Sequence, residues 1–186
     1  MAKNATRKVV VGEVRFSYAH VFQPWGDTDP KYSIVAVISK KDTHIIDDIK
    51  KAIQEVYEEE KQGMFKGRAI NSLALPLKDG DNPGEGREPN PSYEGSYYIS
   101  ANRKTAPGVV GRDRKPIVNQ DDFYSGCYGY ISMTIAPYDI NGKKGIKAYL
   151  NHIMKTRDGE RLGGASTAEF DFADVPVVAE DVTDLF

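Results

Sequence analysis

The sequence predicts a mainly β fold with one long α-helix and an acidic C-terminal tail. Three observations lead to this prediction. Several segments alternate apolar and polar residues with the period of a β-strand, one segment has helical spacing of its apolar residues, and residues 165–186 carry acidic but no basic side chains. A small closed barrel would protect the strand edges, with the helix covering an open end; an open α+β sheet is the competing architecture.

The first two strands are predicted from different patterns. From Val9 onward apolar and polar residues alternate, as in a half-buried strand, and residues 23–30 are rich in turn formers. Residues 31–39 (KYSIVAVIS) are β-branched and apolar on both faces, which indicates a central strand.

One amphipathic helix of about 20 residues is expected after the second strand. Asp42 or Thr43 can cap its N-terminus, and Gly63 is a natural C-terminal stop. Apolar residues recur at spacings of three and four, at Ile45, Ile46, Ile49, Ile53, Val56 and Tyr57. This stripe predicts a helix that packs against the core.

A short strand and a long loop are predicted next. Residues 71–78 allow a short strand, which Pro76 limits to a sheet edge. Residues 79–96 are dense in Gly, Pro, Asn and Asp. A loop of this length is expected to be functional or mobile.

The remaining strands complete the body. Residues 97–102 are predicted as a strand, and the loop at 103–115 holds five basic residues and one acidic residue. Residues 128–138 and 145–155 are predicted to form a hairpin joined through Asn141-Gly142.

The predicted elements amount to about five or six antiparallel strands and one helix. An OB-type Greek-key barrel of five strands fits this count, although strand pattern alone does not separate it from an open α+β sheet. We expect one barrel domain at residues 1–164 and a disordered acidic tail at residues 165–186.

Size and composition limit the class of protein. A chain of 186 residues and 20.6 kDa is long enough for one domain with its own core. No apolar run approaches the roughly 18 residues of a membrane span. The single cysteine, Cys127, excludes an intrachain disulfide and is expected to be a half-buried structural thiol. These features favour a cytoplasmic protein.

Common enzyme motifs are missing from the sequence. His20, His44 and His152 lie far apart without metal-ligand spacing, and we interpret His44 and His152 as structural or solvated. Asp121 and Asp122 could hold a metal with other carboxylates, but adjacent strand residues point to opposite faces. The sequence predicts no catalytic, cofactor or metal site, and a metal-dependent nuclease is the alternative.

The net charge of −2 hides an uneven distribution. No Lys or Arg follows Arg161, whereas six acidic residues do. The rest of the chain then has 21 acidic against 25 basic side chains, a net charge of +4. A basic body favours a polyanionic ligand despite the acidic total.

Aromatic and basic residues are interleaved in the second half of the chain. Unpaired nucleic-acid bases stack on aromatic rings while cations bind the phosphates, so this combination predicts single-stranded nucleic-acid binding. The candidate stacking residues are Tyr97, Tyr98, Tyr128, Tyr130 and Tyr149, and the candidate phosphate contacts are Arg103, Lys104, Arg112, Arg114, Lys115, Lys143, Lys144 and Lys147.

Strand periodicity restricts the roles of these tyrosines. Tyr97 and Tyr98 must point to opposite faces, so at most one of them faces a ligand. Tyr128 and Tyr130 share one face, with Tyr149 expected opposite them on the return strand. The alternative interpretation is a layer of half-buried structural tyrosines, which are common in β-proteins.

The tail combines acidic and apolar residues and ends in an aromatic residue beside a carboxylate. Such a tip suits a basic-rimmed pocket on a partner, or the cationic surface of the body itself, where it would compete with nucleic acid. The residues expected to bind partners are Glu180, Asp181, Asp184, Leu185 and Phe186.

These residues resemble the single-stranded-DNA-binding proteins of tailed phages, an OB-fold family. The most specific stretch runs from Ser125 to Gly164, with its Cys-Tyr entry, Pro-Tyr end, Gly-Lys-Lys-Gly turn, Leu-Asn pair and final Asp-Gly. The acidic tail ending in Phe186 is also similar to the tails of that family. The helix directly after the second strand departs from the commonest OB layout, where the helix comes later.

The resemblance implies a non-enzymatic protein of the host cytoplasm that coats single-stranded DNA without sequence preference. Its tail would contact a polymerase, helicase or recombinase in phage DNA replication, recombination and repair, and a homodimer is an open possibility. Tyr128, Tyr130 and Tyr149 would then stack on bases, and Arg103, Lys104, Arg112, Arg114 and Lys115 would bind phosphates. A phage structural or adaptor protein is a further alternative.

Overall fold

A computed structural model describes residues 4–162 and 175–176. It contains one α-helix, α1 (Thr43–Glu60), and three 3-10 turns at Ile70–Ser72, Pro91–Tyr93 and Gln120–Asp122. The strands are β1 (Arg7–Trp25), β2 (Lys31–Ser39), β3 (Leu77–Asp79), β4 (Ser96–Arg103), β5 (Gly108–Val110), β6 (Tyr128–Ile140) and β7 (Lys143–Arg157).

Five of these strands close a barrel in the order β1-β2-β4-β7-β6, with β6 returning to β1. All neighbours in the ring are antiparallel except β4 and β7, which run parallel and pair Ala101 with Ala148 and Asn102 with Tyr149. The prediction of a five-stranded OB-type barrel with one helix is therefore confirmed, and the open sheet is not formed.

The barrel interior is filled by the inward side of each strand. Phe16, Ile99, Ile131, Met133 and Leu150 come from four strands and are each at most 1% exposed. Along each strand, buried apolar side chains alternate with outward polar ones. This is the pattern from which the strands were predicted.

Helix α1 packs against the barrel with the predicted face. All six residues of the predicted stripe are buried, and Ala52 joins them. Asp42 is the N-cap residue, as predicted, although its side chain makes no capping hydrogen bond, and the helix ends at Glu60, before the predicted stop at Gly63. The hydrophobic stripe decides its position because packing outweighs end effects.

Two strand boundaries differ from prediction. β1 extends into the turn-rich segment as far as Trp25, because pairing with Lys31 of β2 holds the chain extended. The segment 71–78 contributes only the start of the three-residue strand β3. Within the part of the chain that the structure describes, no helix is long and apolar enough to cross a membrane.

Candidate nucleic-acid interface

The outer face of β2 and β4 forms the floor of a concave surface. Cross-strand pairing places Ser33 beside Asn102 and Val35 beside Ser100 on this face. In OB-type barrels the second and third strands carry the ligand face, and β2 and β4 are those strands here.

An aromatic cleft lies at one side of this floor, defined here by Tyr18, His20, Trp25, Tyr93 and Tyr98. Trp25 is 69% exposed and its ring lies nearly parallel to the His20 ring, 4.9 Å between centroids. The Tyr98 and Tyr93 rings are 4.8 Å apart. Tyr93 is buried, whereas Tyr18 and Trp25 are exposed beside a polar floor, where their rings can stack with planar bases.

Irregular pairing in β1 directs three of these rings outward. The register with β2 shifts between Ser17 and His20 and again between His20 and Trp25. Tyr18 has a positive φ of 45° and is 59% exposed. A β-bulge of this kind re-aims side chains out of strict alternation, and strained non-glycine residues are often found at functional sites.

The wall of the aromatic cleft is held by its own contacts. The Tyr93 hydroxyl donates to Ser17 Oγ at 3.1 Å, and burial raises the pKa of that phenol. Lys40 Nζ bridges the Asp79 and Asp81 carboxylates at 2.8 and 2.7 Å, and Asp81 accepts the Gly95 N–H at 3.0 Å. Lys40 directly follows β2, so these contacts tie the start of the predicted loop at 79–96 to the end of that strand and to Gly95 near the end of the loop.

A cationic groove continues from the aromatic cleft, defined by Lys31, Arg103, Lys104, Lys147 and Tyr149 with Asn102 beneath. The Lys147 ammonium lies 4.6 Å from the centre of the Tyr149 ring, and the Arg103 guanidinium lies 5.5 Å from it. Lys31 and Lys104 are each near Asp29, at 3.3 and 3.2 Å. The groove therefore combines an aromatic ring with four basic side chains, of which Lys31 and Lys104 lie near a carboxylate.

The cleft and the groove form one surface. Trp25 of the cleft pairs with Lys31 of the groove, and Ser33 of the cleft pairs with Asn102 of the groove. Arg103 and Lys147 make no ion pair within residues 4–162. Cations without carboxylate partners are available to bind an anion.

A second aromatic group surrounds Tyr128. The Arg157 guanidinium lies 3.6 Å from the centre of the Tyr128 ring, and Arg15 lies 5.6 Å from it. Glu13 accepts hydrogen bonds from Thr156 and Arg157, and these bonds lower the pKa of its carboxyl.

The predicted basic loop runs between the two groups. Its start, Arg103, lies at Tyr149, and its middle strand β5 runs parallel to β7. Arg112 lies farther along, close enough to Glu13 to lower the pKa of that carboxyl. Arg114 and Lys115 are exposed on the same loop.

Several predicted contacts lie elsewhere. Tyr97 faces α1, with Lys40 and Lys50 at 5.4 and 5.1 Å from its ring centre. Lys144 is nearly buried and donates to the Met64 carbonyl at 2.7 Å. Lys143 is exposed at the hairpin end, four residues from Lys147.

Tyr128 and Tyr130 share the outer face of β6, as expected, but Tyr149 does not lie opposite them. Tyr149 pairs with Thr134, whereas Tyr130 pairs with Met154 and Tyr128 with Arg157. Tyr130 is 42% exposed, and its ring lies on Gly12, where a Cβ would overlap it. Register shifts in the hairpin cannot be deduced from turn residues alone.

Sequence reasoning overlooked part of this surface: Tyr18, His20, Trp25, Tyr93, Arg15 and Arg157. Trp25 offered a signal, since it is the single tryptophan and lies beside Gly26 in a polar segment. The other five became recognisable only from their neighbours across the strands.

The alternative of a metal-dependent nuclease has little support in the described residues. They hold no group of three or more His, Cys, Asp or Glu side chains placed to bind a metal, and Asp121 and Asp122 lie in a 3-10 turn. Cys127 is fully buried, more than expected, and burial raises the pKa of its thiol. The predicted tail residues Glu180, Asp181, Asp184, Leu185 and Phe186 lie outside the described residues.

Known proteins are similar to this chain in sequence and in fold. A family model described as the ssDNA-binding protein of Enterobacter phage Enc34 matches residues 7–184. Protein p50 of Acyrthosiphon pisum secondary endosymbiont phage 1 is 32% identical over 176 residues, which cover 88% of this chain and 92% of that protein.

Two solved structures are similar to the whole barrel. The single-stranded DNA-binding protein of bacteriophage Enc34, in complex with ssDNA, is 30% identical with a TM-score of 0.69, over 84% of this chain and 89% of that one. Gp2.5 of bacteriophage T7, a single-stranded DNA binding protein, has a TM-score of 0.57 over 95% and 97% of the two chains; at 18% identity it supports the fold alone. Since the family model spans nearly the entire sequence and its OB-type barrel is present, the chain belongs to the Enc34 phage ssDNA-binding protein family.

Proposed function

We propose that this protein binds single-stranded DNA, without sequence preference, across the outer face of β2 and β4. The observation that carries the proposal is the continuity of the aromatic cleft with the cationic groove. Trp25 and Tyr98 line the cleft, and Lys147, Tyr149 and Arg103 line the groove that continues from it. Strand pairing joins the two, Trp25 with Lys31 and Ser33 with Asn102.

The chemistry of this surface suits an unpaired strand. Trp25, Tyr98 and Tyr149 offer ring faces for bases, and each stacked base contributes about 1–3 kcal/mol. Arg103 and Lys147 offer cations for phosphates. Since every base has a π-face, stacking of this kind favours no particular sequence.

The Tyr128 group is included as a second contact region. Tyr128, Arg157 and Arg15 repeat the combination of ring and cation, and Tyr130 is exposed nearby on β6. Arg112, Arg114 and Lys115 would supply phosphate contacts from the loop. We leave Tyr97 and Lys144 out because their side chains are engaged elsewhere.

Residues 165–186 are proposed to compete with DNA and to recruit partner proteins. Charge supports this, because the tail is acidic while the rest of the chain is basic. A polyanionic segment and a DNA strand would compete for the same basic side chains. The protein would thus be a non-enzymatic component of phage DNA replication, recombination and repair in the host cytoplasm. Its tail would contact a polymerase, helicase or recombinase.

Trp25 provides a direct test. It is the single tryptophan and lies in the proposed site, so its fluorescence should be quenched when oligo-dT binds. We expect the affinity for oligo-dT to exceed that for a duplex of equal length and to fall steeply with salt. Unchanged fluorescence together with no retention of oligo-dT at low salt would refute the proposal. Cleavage of labelled DNA with Mg²⁺ would instead favour the nuclease.

A further inference from the structure

A second groove lies beside the cationic groove and shares Arg103 with it. Its walls are Lys8, Arg103, Thr105, Ala106, Asn151 and His152. Lys8 and Asn151 have no role among the predicted DNA contacts, and the sequence predicts a structural or solvated His152. Their grouping needs a separate explanation.

A β-bulge in β7 directs two consecutive side chains into this groove. Leu150 pairs with Met133 and His152 pairs with Ser132, so Asn151 is one extra residue on β7. Leu150 and Ile153 on either side are buried, whereas Asn151 is half-buried and His152 is exposed. Without the bulge, alternation would turn one of the two into the core.

The tautomer of His152 is determined by a backbone contact. The Gly108 N–H donates to His152 Nδ1 at 3.0 Å, so Nδ1 carries no proton. The neutral ring then carries its proton on Nε2, on the edge away from Gly108. A Cβ at Gly108 would lie 2.9 Å from Nδ1, so glycine permits this approach of the β5 backbone.

The rest of the groove favours an anion. Lys8 and Arg103 make no ion pair within residues 4–162, and the walls contain no carboxylate. Asn151 Nδ2 donates to Thr134 Oγ1 at 3.0 Å, which fixes the amide next to the ring. Two cations and an oriented N–H donor are the groups that bind a phosphate oxygen.

We propose that this groove binds one phosphodiester of the single strand, with His152 donating from Nε2 as a neutral ligand and Lys8 and Arg103 supplying charge. The inference rests on the proposed function and extends the strand beyond Tyr149. It assigns a contact that adds affinity without adding charge.

Two substitutions of His152 test its two ring nitrogens separately. In His152→Asn the amide oxygen can replace Nδ1 as acceptor for Gly108, but the Nε2–H donor is lost. In His152→Gln the amide N–H can replace the Nε2–H donor, but the contact with Gly108 is weakened. Lys8→Gln removes a charge from the same groove.

Titrations with oligo-dT at several salt concentrations, at about pH 8, test the proposal. We expect His152→Asn to weaken binding about fivefold to tenfold at every salt concentration, with an unchanged slope of log K against log salt. His152→Gln should bind more tightly than His152→Asn, and Lys8→Gln should reduce the slope by about 1.

The outcomes distinguish this inference from the proposed function. Wild-type affinity for oligo-dT in His152→Asn would overturn this inference but not the proposed function. The inference would also fail if both histidine variants lost the same affinity and melted at lower temperatures, because His152 would then serve only to hold β5 in place. If the wild-type protein itself fails to bind oligo-dT, the proposed function fails instead.

Discussion

Tyr97 and Tyr98 are adjacent in sequence but lie on opposite faces of β4. Tyr98 contacts Tyr93 in the aromatic cleft, whereas Tyr97 packs beneath Lys40 and Lys50 on the side of α1. Strand alternation predicted that at most one of them faces a ligand, and the barrel decides which. The pair is therefore a matched test of the proposed interface.

We expect Tyr98→Leu to weaken oligo-dT binding by about 1–3 kcal/mol, roughly fivefold to 150-fold, because one stacking ring is lost. Tryptophan fluorescence titration measures this change. Tyr97→Leu should keep the wild-type affinity and lower the melting temperature instead. If Tyr98→Leu bound oligo-dT like wild type and Tyr97→Leu bound it more weakly, DNA would bind the opposite face of β4 and the proposed interface would be wrong.

Among the elements, α1 packs against the barrel and lies outside the proposed interface. Its inward residues are buried, and none of its residues lines the aromatic cleft or the cationic groove. The sequence anticipated this role, because a long apolar stripe at helical spacing is a packing signal. Stability and binding should therefore respond separately to changes in the helix.

Ile49 is fully buried on α1, so Ile49→Ala should lower the free energy of unfolding by about 2–5 kcal/mol. Urea denaturation measures this loss, and Lys51→Ala, on the exposed side, should change stability by less than about 0.5 kcal/mol. The oligo-dT affinity of folded Ile49→Ala should equal that of wild type. A large loss of affinity would connect α1 to the DNA surface.

Lys40 holds the start of the loop at 79–96 through the Asp79 and Asp81 carboxylates. The stability that these contacts provide should depend on pH. Lys40 lowers the pKa of the Asp79 and Asp81 carboxyls by hydrogen bonding to both. A carboxyl with a lowered pKa in the folded state stabilises that state above its ordinary pKa of about 4. This stabilisation is lost as the pH falls through the lowered value.

Lys40→Met should therefore melt below the wild-type protein at about pH 6, and the difference should shrink as the pH falls below the ordinary carboxyl pKa of about 4. Thermal denaturation followed by circular dichroism measures both values. Lys41→Met is the control, because Lys41 is an exposed neighbour without an ion pair in the described residues. A difference that is constant with pH would mean that the ion pairs do not anchor the loop.

For the whole molecule, charge is divided between a basic body and an acidic tail. Deleting residues 165–186 should tighten oligo-dT binding, with the largest gain at low salt, because a competing anion is removed. Salt-dependent titration of the full and shortened chains measures the gain. A matched chain whose six tail acids are replaced by Asn or Gln should behave like the deletion. Weaker binding by either folded variant would contradict competition.

The five barrel strands, the helical stripe, the basic segment and the acidic tail follow from the sequence, because each is a local pattern of period, turn chemistry or charge. The short strand β5 does not, since it forms inside the segment predicted as a loop. Which residues meet across strands depends on barrel closure, register shifts and bulges, which no local pattern encodes. Tertiary structure alone therefore brought Trp25 and His20 to the cleft with Tyr98, turned Tyr97 and Lys144 away, and set His152 beside Lys8. A binding surface built from residues far apart in the chain exists only once the ring of strands is closed.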